Sequence, residues 1–126
     1  MAGTIKIDTI QSELTTPTVF KNSSGTEIGK LCRSFVNFNG STPAISSSFN
    51  ISSLTRNATG QFTLAFSSSF TDQYYSGSST GTSSANYITA FDDTNAAPTS
   101  SAARVITRTG GFVDNNSPYS MFSLNR

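Results

Sequence analysis

The 126-residue chain contains no histidine and no tryptophan. Without imidazole it lacks the usual general base, the commonest metal ligand and any serine-protease-type triad. Cys32 is the single cysteine, so an intrachain disulfide is excluded. A Cys–His nucleophilic pair is excluded with it. The expected role of Cys32 is a small buried apolar group at a strand edge. Charged residues make up only 12% of the chain, about half the usual share. The net charge is +1, and Lys6, Lys21, Lys30, Arg33, Arg56, Arg104, Arg108 and Arg126 are scattered, with only a loose group at 30–33. A nucleic-acid surface needs such cations clustered, so no nucleic-acid partner is expected. No apolar run approaches the roughly 18 residues of a membrane span, so no membrane insertion is expected. The opening MAGTIKIDTIQSE lacks the apolar core of a secretory signal, which predicts synthesis in a cytosol.

What is abundant is small and hydroxylated. Ser, Thr, Asn and Gly together account for 60 of the 126 residues, and 10 Phe are spread among them. Small polar spacers around recurring Phe predict short strands and tight turns. GQFTLAFSS is the clearest case: Phe62, Leu64 and Phe66 alternate with Gln61, Thr63 and Ala65. RSFVNFNG predicts a strand ending in an Asn39-Gly40 turn. In AISSSFNISSL, Ile45, Phe49 and Ile51 share parity and are expected on one face. Asn57–Gly60 suits a hairpin turn into the 61–67 strand. ANYITAFDD (85–93) is apolar on both parities and suits a central strand. ARVITRTGG (103–111) predicts another, and PYSMFSLNR a last one with Tyr119 and Met121 opposite Phe122 and Leu124. SGSSTGTSSA (76–85) has no apolar residue before Ala85, and composition predicts a flexible exposed loop.

About six strands from residue 34 onward, divided by turn residues, predict an all-β fold: an antiparallel β-sandwich, jelly-roll-like, over 34–126. Residues 1–33 read as an extended arm followed by a hairpin around Asn22–Gly25, with Pro17 favouring an edge position. A lone hairpin buries too little to fold by itself, so this segment is expected to serve assembly or attachment.

The acids are Asp8, Glu13, Glu27, Asp72, Asp92, Asp93 and Asp114. Only Asp92 and Asp93 are adjacent, and strand neighbours point to opposite faces, so no carboxylate pair for glycosidic chemistry is indicated. FDDTNA offers Asp92, Asp93 and Asn95 as oxygen donors for calcium, but a turn closed by side-chain-to-backbone bonds accounts for it equally. SGSSTG and TGG lack the lysine and helix of a phosphate loop. No catalytic residue, metal or cofactor is expected. Tyr74, Tyr75, Tyr87 and Tyr119 are candidate receptor-facing residues, because an exposed ring flanked by Ser, Thr and Asn can stack on a sugar.

The segments GTIKIDTIQ, TPTVFKNSSGTEIG, RSFVNFNG and ISSSFNISSLTRNATGQFTLAF, in that order over residues 3 to about 75, resemble tail-fibre-like virion proteins of bacteriophages, particularly those of marine cyanobacteria. Phe35 stands where that family usually has Trp. The resemblance implies a structural virion component, a homotrimer attached by its N-terminal segment to tail or capsid. Intertwined arms would then bury Ile5, Ile7, Ile10, Val19, Phe20 and Ile28. Its function would be binding of a host cell-surface glycan or protein, with copies multiplying weak contacts. The alternatives are a capsid decoration or head-fibre protein, and a free carbohydrate-binding module. In the first two cases the protein would be located in the virion, assembled in the host cytoplasm.

Overall fold

The computed structural model describes residues 19–30, 32–81, 88–91 and 97–125. It divides the chain into units 1–31 and 32–126. The boundary falls two residues before the expected one, because Cys32 already pairs with Asn125.

The described part of the first unit is a hairpin, β1 (Val19–Lys21) against β2 (Glu27–Lys30). Its turn is built by Asn22. The Asn22 side-chain oxygen accepts from the backbone N–H groups of Ser24 (3.1 Å) and Thr26 (2.9 Å) and from the Ser24 hydroxyl (2.7 Å). Gly25 takes the left-handed conformation that closes it, at φ 81°.

Among its described residues the second unit holds eight strands: β3 (Cys32–Asn39), β4 (Ala44–Phe49), β5 (Ile51–Ala58), β6 (Gln61–Phe66), β7 (Ser76–Gly81), β8 (Ile88–Phe91), β9 (Ala102–Arg108) and β10 (Ser120–Asn125). They form two four-stranded sheets, ordered β4-β3-β10-β7 and β5-β6-β9-β8, and every pairing is antiparallel. No helix occurs among the described residues. The architecture is the antiparallel β-sandwich that the strand patterns predict.

The core lies between the sheets. Val36, Phe38, Phe122 and Leu124 come from one sheet; Phe62, Leu64, Ala103 and Val105 from the other. Phe38 meets Phe62 edge-on across the gap, with ring centroids 5.2 Å apart, and Phe91 meets Phe122 likewise at 5.0 Å. Burying one such ring contributes about 1.5–3 kcal/mol. The 61–66 strand alternates as expected, and so does 120–125, where Phe122 and Leu124 face in and Met121 faces out.

Several expectations are corrected. Residues 76–81 form a strand, not a flexible loop. The lack of a side chain at Gly77 is what the packing requires: a Cβ there would meet Phe122 and Phe91 at 2.7 Å. The Ser79 hydroxyl donates to the Thr89 carbonyl, tying β7 to the opposite sheet. Ile45, Phe49 and Ile51 do not share a face. Asn50 adopts φ 57° and turns the chain from one sheet into the other, and a bulge at Asn37/Phe38 shifts the register of β4. Strand β8 is an edge of its sheet among the described residues, not a central strand. Cys32 is exposed, since it stands at the outset of β3, and its thiol donates to the Ser34 carbonyl at 3.2 Å.

Candidate functional site

The sandwich has two chemically different ends. At one end the chain enters at Cys32 and β10 finishes at Asn125; the two residues are register partners. The Asn50 corner and the 67–75 loop lie there too, joined by Asn50 to Ser68. At the opposite end three connections meet: the 40–43 turn, the 59–60 turn and the 109–119 connection.

These three are bound into one platform. Gly40 N–H donates to the Ser117 carbonyl at 2.8 Å, and Gly60 N–H to the Asn116 side chain at 2.9 Å. Arg56 caps the carbonyls of Gly40 and Ser41, both at 2.6 Å. Thr107 donates its backbone N–H to the Gly60 carbonyl at 2.7 Å and its hydroxyl to the Asn115 carbonyl. Gly60, at φ 69°, has no room for a side chain: a Cβ would come 2.5 Å from the Thr107 carbonyl.

On this platform stands the tip Thr109-Gly110-Gly111-Phe112-Val113. Its base is clamped by the Arg108 guanidinium on Asp114, Nε to Oδ1 at 2.8 Å, with Gln61 donating to the other carboxylate oxygen at 3.2 Å. Those hydrogen bonds, Arg108's first, hold the Asp114 carboxyl below the usual carboxylate range. Thr109 N–H reaches the Val113 carbonyl at 2.9 Å, and Phe112 N–H the Thr109 carbonyl at 2.8 Å. Phe112 is thereby held at φ 60°, a left-handed conformation that costs a residue with a Cβ about 1–2 kcal/mol. Its ring is 74% exposed and the Val113 side chain 63%. A strained backbone that holds an aromatic ring in water is not explained by packing.

Beside the ring lies a cavity of about 130 Å³, lined by Ala90, Phe91, Ile106, Arg108 and Phe112. It sits where β9 ends and the antiparallel β8 begins, beneath the tip.

The four candidate tyrosines are not brought together. Tyr119 is 64% exposed at the platform end. Tyr74 is 79% exposed but belongs to the 67–75 loop at the entry end, its N–H held by Asp72 at 2.8 Å. Tyr75 is corrected: it is buried, 8% exposed, among Phe66, Phe70 and Phe91, and its hydroxyl donates to the carbonyls of Thr99 and Ala102. Tyr87 lies outside the described residues, as do Ile5, Ile7 and Ile10 of the arm, the side chain of Val19, and the Asp92, Asp93 and Asn95 considered for calcium. Phe20 and Ile28 are exposed on the hairpin.

Phe112 and Val113 were not singled out by sequence. The available signal is the apolar pair following Gly110-Gly111 inside a turn-rich segment. A second outward aromatic feature is Phe35 stacked on Phe49 across β3 and β4, with centroids 6.4 Å apart. Among the described residues no three metal-ligating side chains cluster. No helix among them is long and apolar enough to cross a membrane. Compared with known proteins, the chain matches no family model, no curated protein and no solved structure.

Proposed function

We propose that this chain is a structural component of a bacteriophage virion, a tail-fibre or adhesin-like module. It docks through its N-terminal segment and displays the sandwich toward a host surface. The observation that carries this reading is the division of the sandwich into an entry end and an opposite end whose tip holds Phe112 and Val113 out in water. A module tethered at one end and adhesive at the other would have its apolar contacts there. Exposed aromatics on a braced platform serve recognition at little ordering cost. The resemblance of residues 3 to about 75 to tail-fibre-like virion proteins supports the same reading.

In this reading the chain acts on itself as a homotrimer. Phe20 and Ile28 of the hairpin, exposed in a single chain, are the apolar residues that neighbouring copies would cover.

The experiment is twofold. Particles carrying the protein are separated into heads and tails and probed for it, with and without residues 1–31. The expected result is full-length protein in the tail fraction and loss of the truncated form from particles. Recovery in the head fraction supports capsid decoration instead. The purified full chain is then added to host cells before infection, and a concentration-dependent drop in adsorption is expected. The solution mass of the full chain should be three times that of one chain, and residues 32–126 should run smaller.

A further inference from the structure

We infer that the cavity beside Phe112 is a saccharide subsite, in which one pyranose ring stacks on the Phe112 face while its hydroxyls meet the Arg108 guanidinium and the Asp114 carboxylate. The inference rests on the proposed adhesive role only for where the sugar comes from.

Four observations converge at this place. The cavity, about 130 Å³, is below the range of roughly 300–1,000 Å³ typical of drug-sized ligands, so it takes one small ring and not an extended molecule. Its wall is apolar from Ala90, Ile106 and the Phe112 ring, which suits the C–H face of a sugar. Its rim is polar and planar: Arg108 gives its Nε–H to Asp114, and the two terminal amino groups of its fork remain to donate outward. Asp114 is not itself a lining residue, but it stands 2.8 Å from the Arg108 Nε and keeps acceptor lone pairs beyond those used by Arg108 and Gln61. Arg108 and Asp114 neutralise each other, so this pair does not by itself select an ionic ligand. A neutral molecule with an apolar face and a hydroxylated edge fits this combination. Finally, the backbone of Phe112 is held in the left-handed region by the clamp beneath it. The backbone that carries the ring is thus set before any ligand arrives, which lowers the ordering cost of stacking.

The test uses the full chain in solution with methyl pyranosides of glucose, galactose, mannose and N-acetylglucosamine as probes, and methylcyclohexanol as an apolar control. Saturation-transfer NMR should reach the ring protons of at least one pyranoside and not the control. Phe112→Tyr should retain binding. Phe112→Asn, which suits the left-handed backbone, should keep or raise the melting temperature and weaken binding about tenfold or more. The inference is overturned if no pyranoside receives saturation, if the control binds as well as the sugars, or if folded Phe112→Asn binds as wild type does. The adsorption assay separates this from the adhesive role. Sugar binding without competition for adsorption leaves the subsite and removes that role. Competition that Phe112→Asn preserves does the reverse.

Discussion

Gly77 lies directly against Phe122: a side-chain carbon at that position would stand 2.7 Å from the tip of the ring, and equally near the ring of Phe91. Strand β7 can pair with β10 only because this residue has no side chain. Gly77→Ala is therefore expected to destabilise by about 1–3 kcal/mol through overpacking. Urea unfolding of the variant measures it. Gly77→Ala combined with Phe122→Leu should cost less than the sum of the two single changes, since one of the two rings the methyl meets is then gone. Equal midpoints for wild type and Gly77→Ala would show that β7 does not sit under these rings.

Asn50 is the corner at which the chain leaves one sheet for the other. Its side chain accepts from Ser68 N–H at 2.7 Å and donates to the carbonyls of Arg33 (3.2 Å) and Ser68 (3.0 Å). Its φ of 57° suits Asn better than most residues. Two substitutions separate these contributions. Asn50→Gly keeps the backbone conformation and loses the three bonds. Asn50→Ala loses both, and is expected to cost about 1–2 kcal/mol more than Asn50→Gly. Chemical denaturation of the pair gives the difference. A glycine variant no better than the alanine variant would contradict a left-handed corner.

These two residues also mark where sequence reading stops. The strand at Gln61–Phe66 is legible because its buried face is made of its own Phe62, Leu64 and Phe66. The strand at Ser76–Gly81 is illegible for the opposite reason: what fits it to the fold is the bulk of Phe122 and Phe91, which arrive from elsewhere in the chain. Parity carries Ile45 and Phe49 only as far as the bulge and the Asn50 corner, and neither leaves a periodic trace. Tyr74 and Tyr75 are adjacent and compositionally alike, yet one is in solvent and the other in the core; distant Phe66, Phe70 and Phe91 make the choice. The Phe112 tip is missed because its meaning resides in a backbone angle and in the clamp formed by Gln61, Arg108 and Asp114.

The burial of Tyr75 has two measurable consequences. Its hydroxyl proton is shared between the carbonyls of Thr99 (3.0 Å) and Ala102 (3.1 Å), so Tyr75→Phe is expected to cost about 1–2 kcal/mol. Desolvation also pushes the phenol up to about 12. The folded state thus favours the neutral form. Its contribution is fully present below the unfolded value of about 10 and is lost as pH rises through about 12. Absorbance titration should show a tyrosine component ionising near pH 12, and that component should vanish in Tyr75→Phe. Absence of that component from the wild-type titration would place the Tyr75 ring in water.

Asp114 makes the complementary prediction at acid pH. Arg108 and Gln61 hold its carboxylate in the charged form, so its folded value lies below its unfolded one of about 3.9. The sign follows: the stabilisation is present above about pH 4 and disappears as pH falls through the folded value. Comparing wild type with Asp114→Asn from neutrality down to about pH 2 isolates it, because the other carboxylates contribute equally to both. The melting-temperature difference should favour wild type at neutrality and shrink toward zero in acid. It should also shrink with added salt, since both partners of the Arg108 pair are partly exposed. A difference that ignores both pH and salt would mean that the pair does not clamp the base of the tip. Phe112 would then lack the support that keeps its ring in place, so this measurement bears on the binding site as well as on stability.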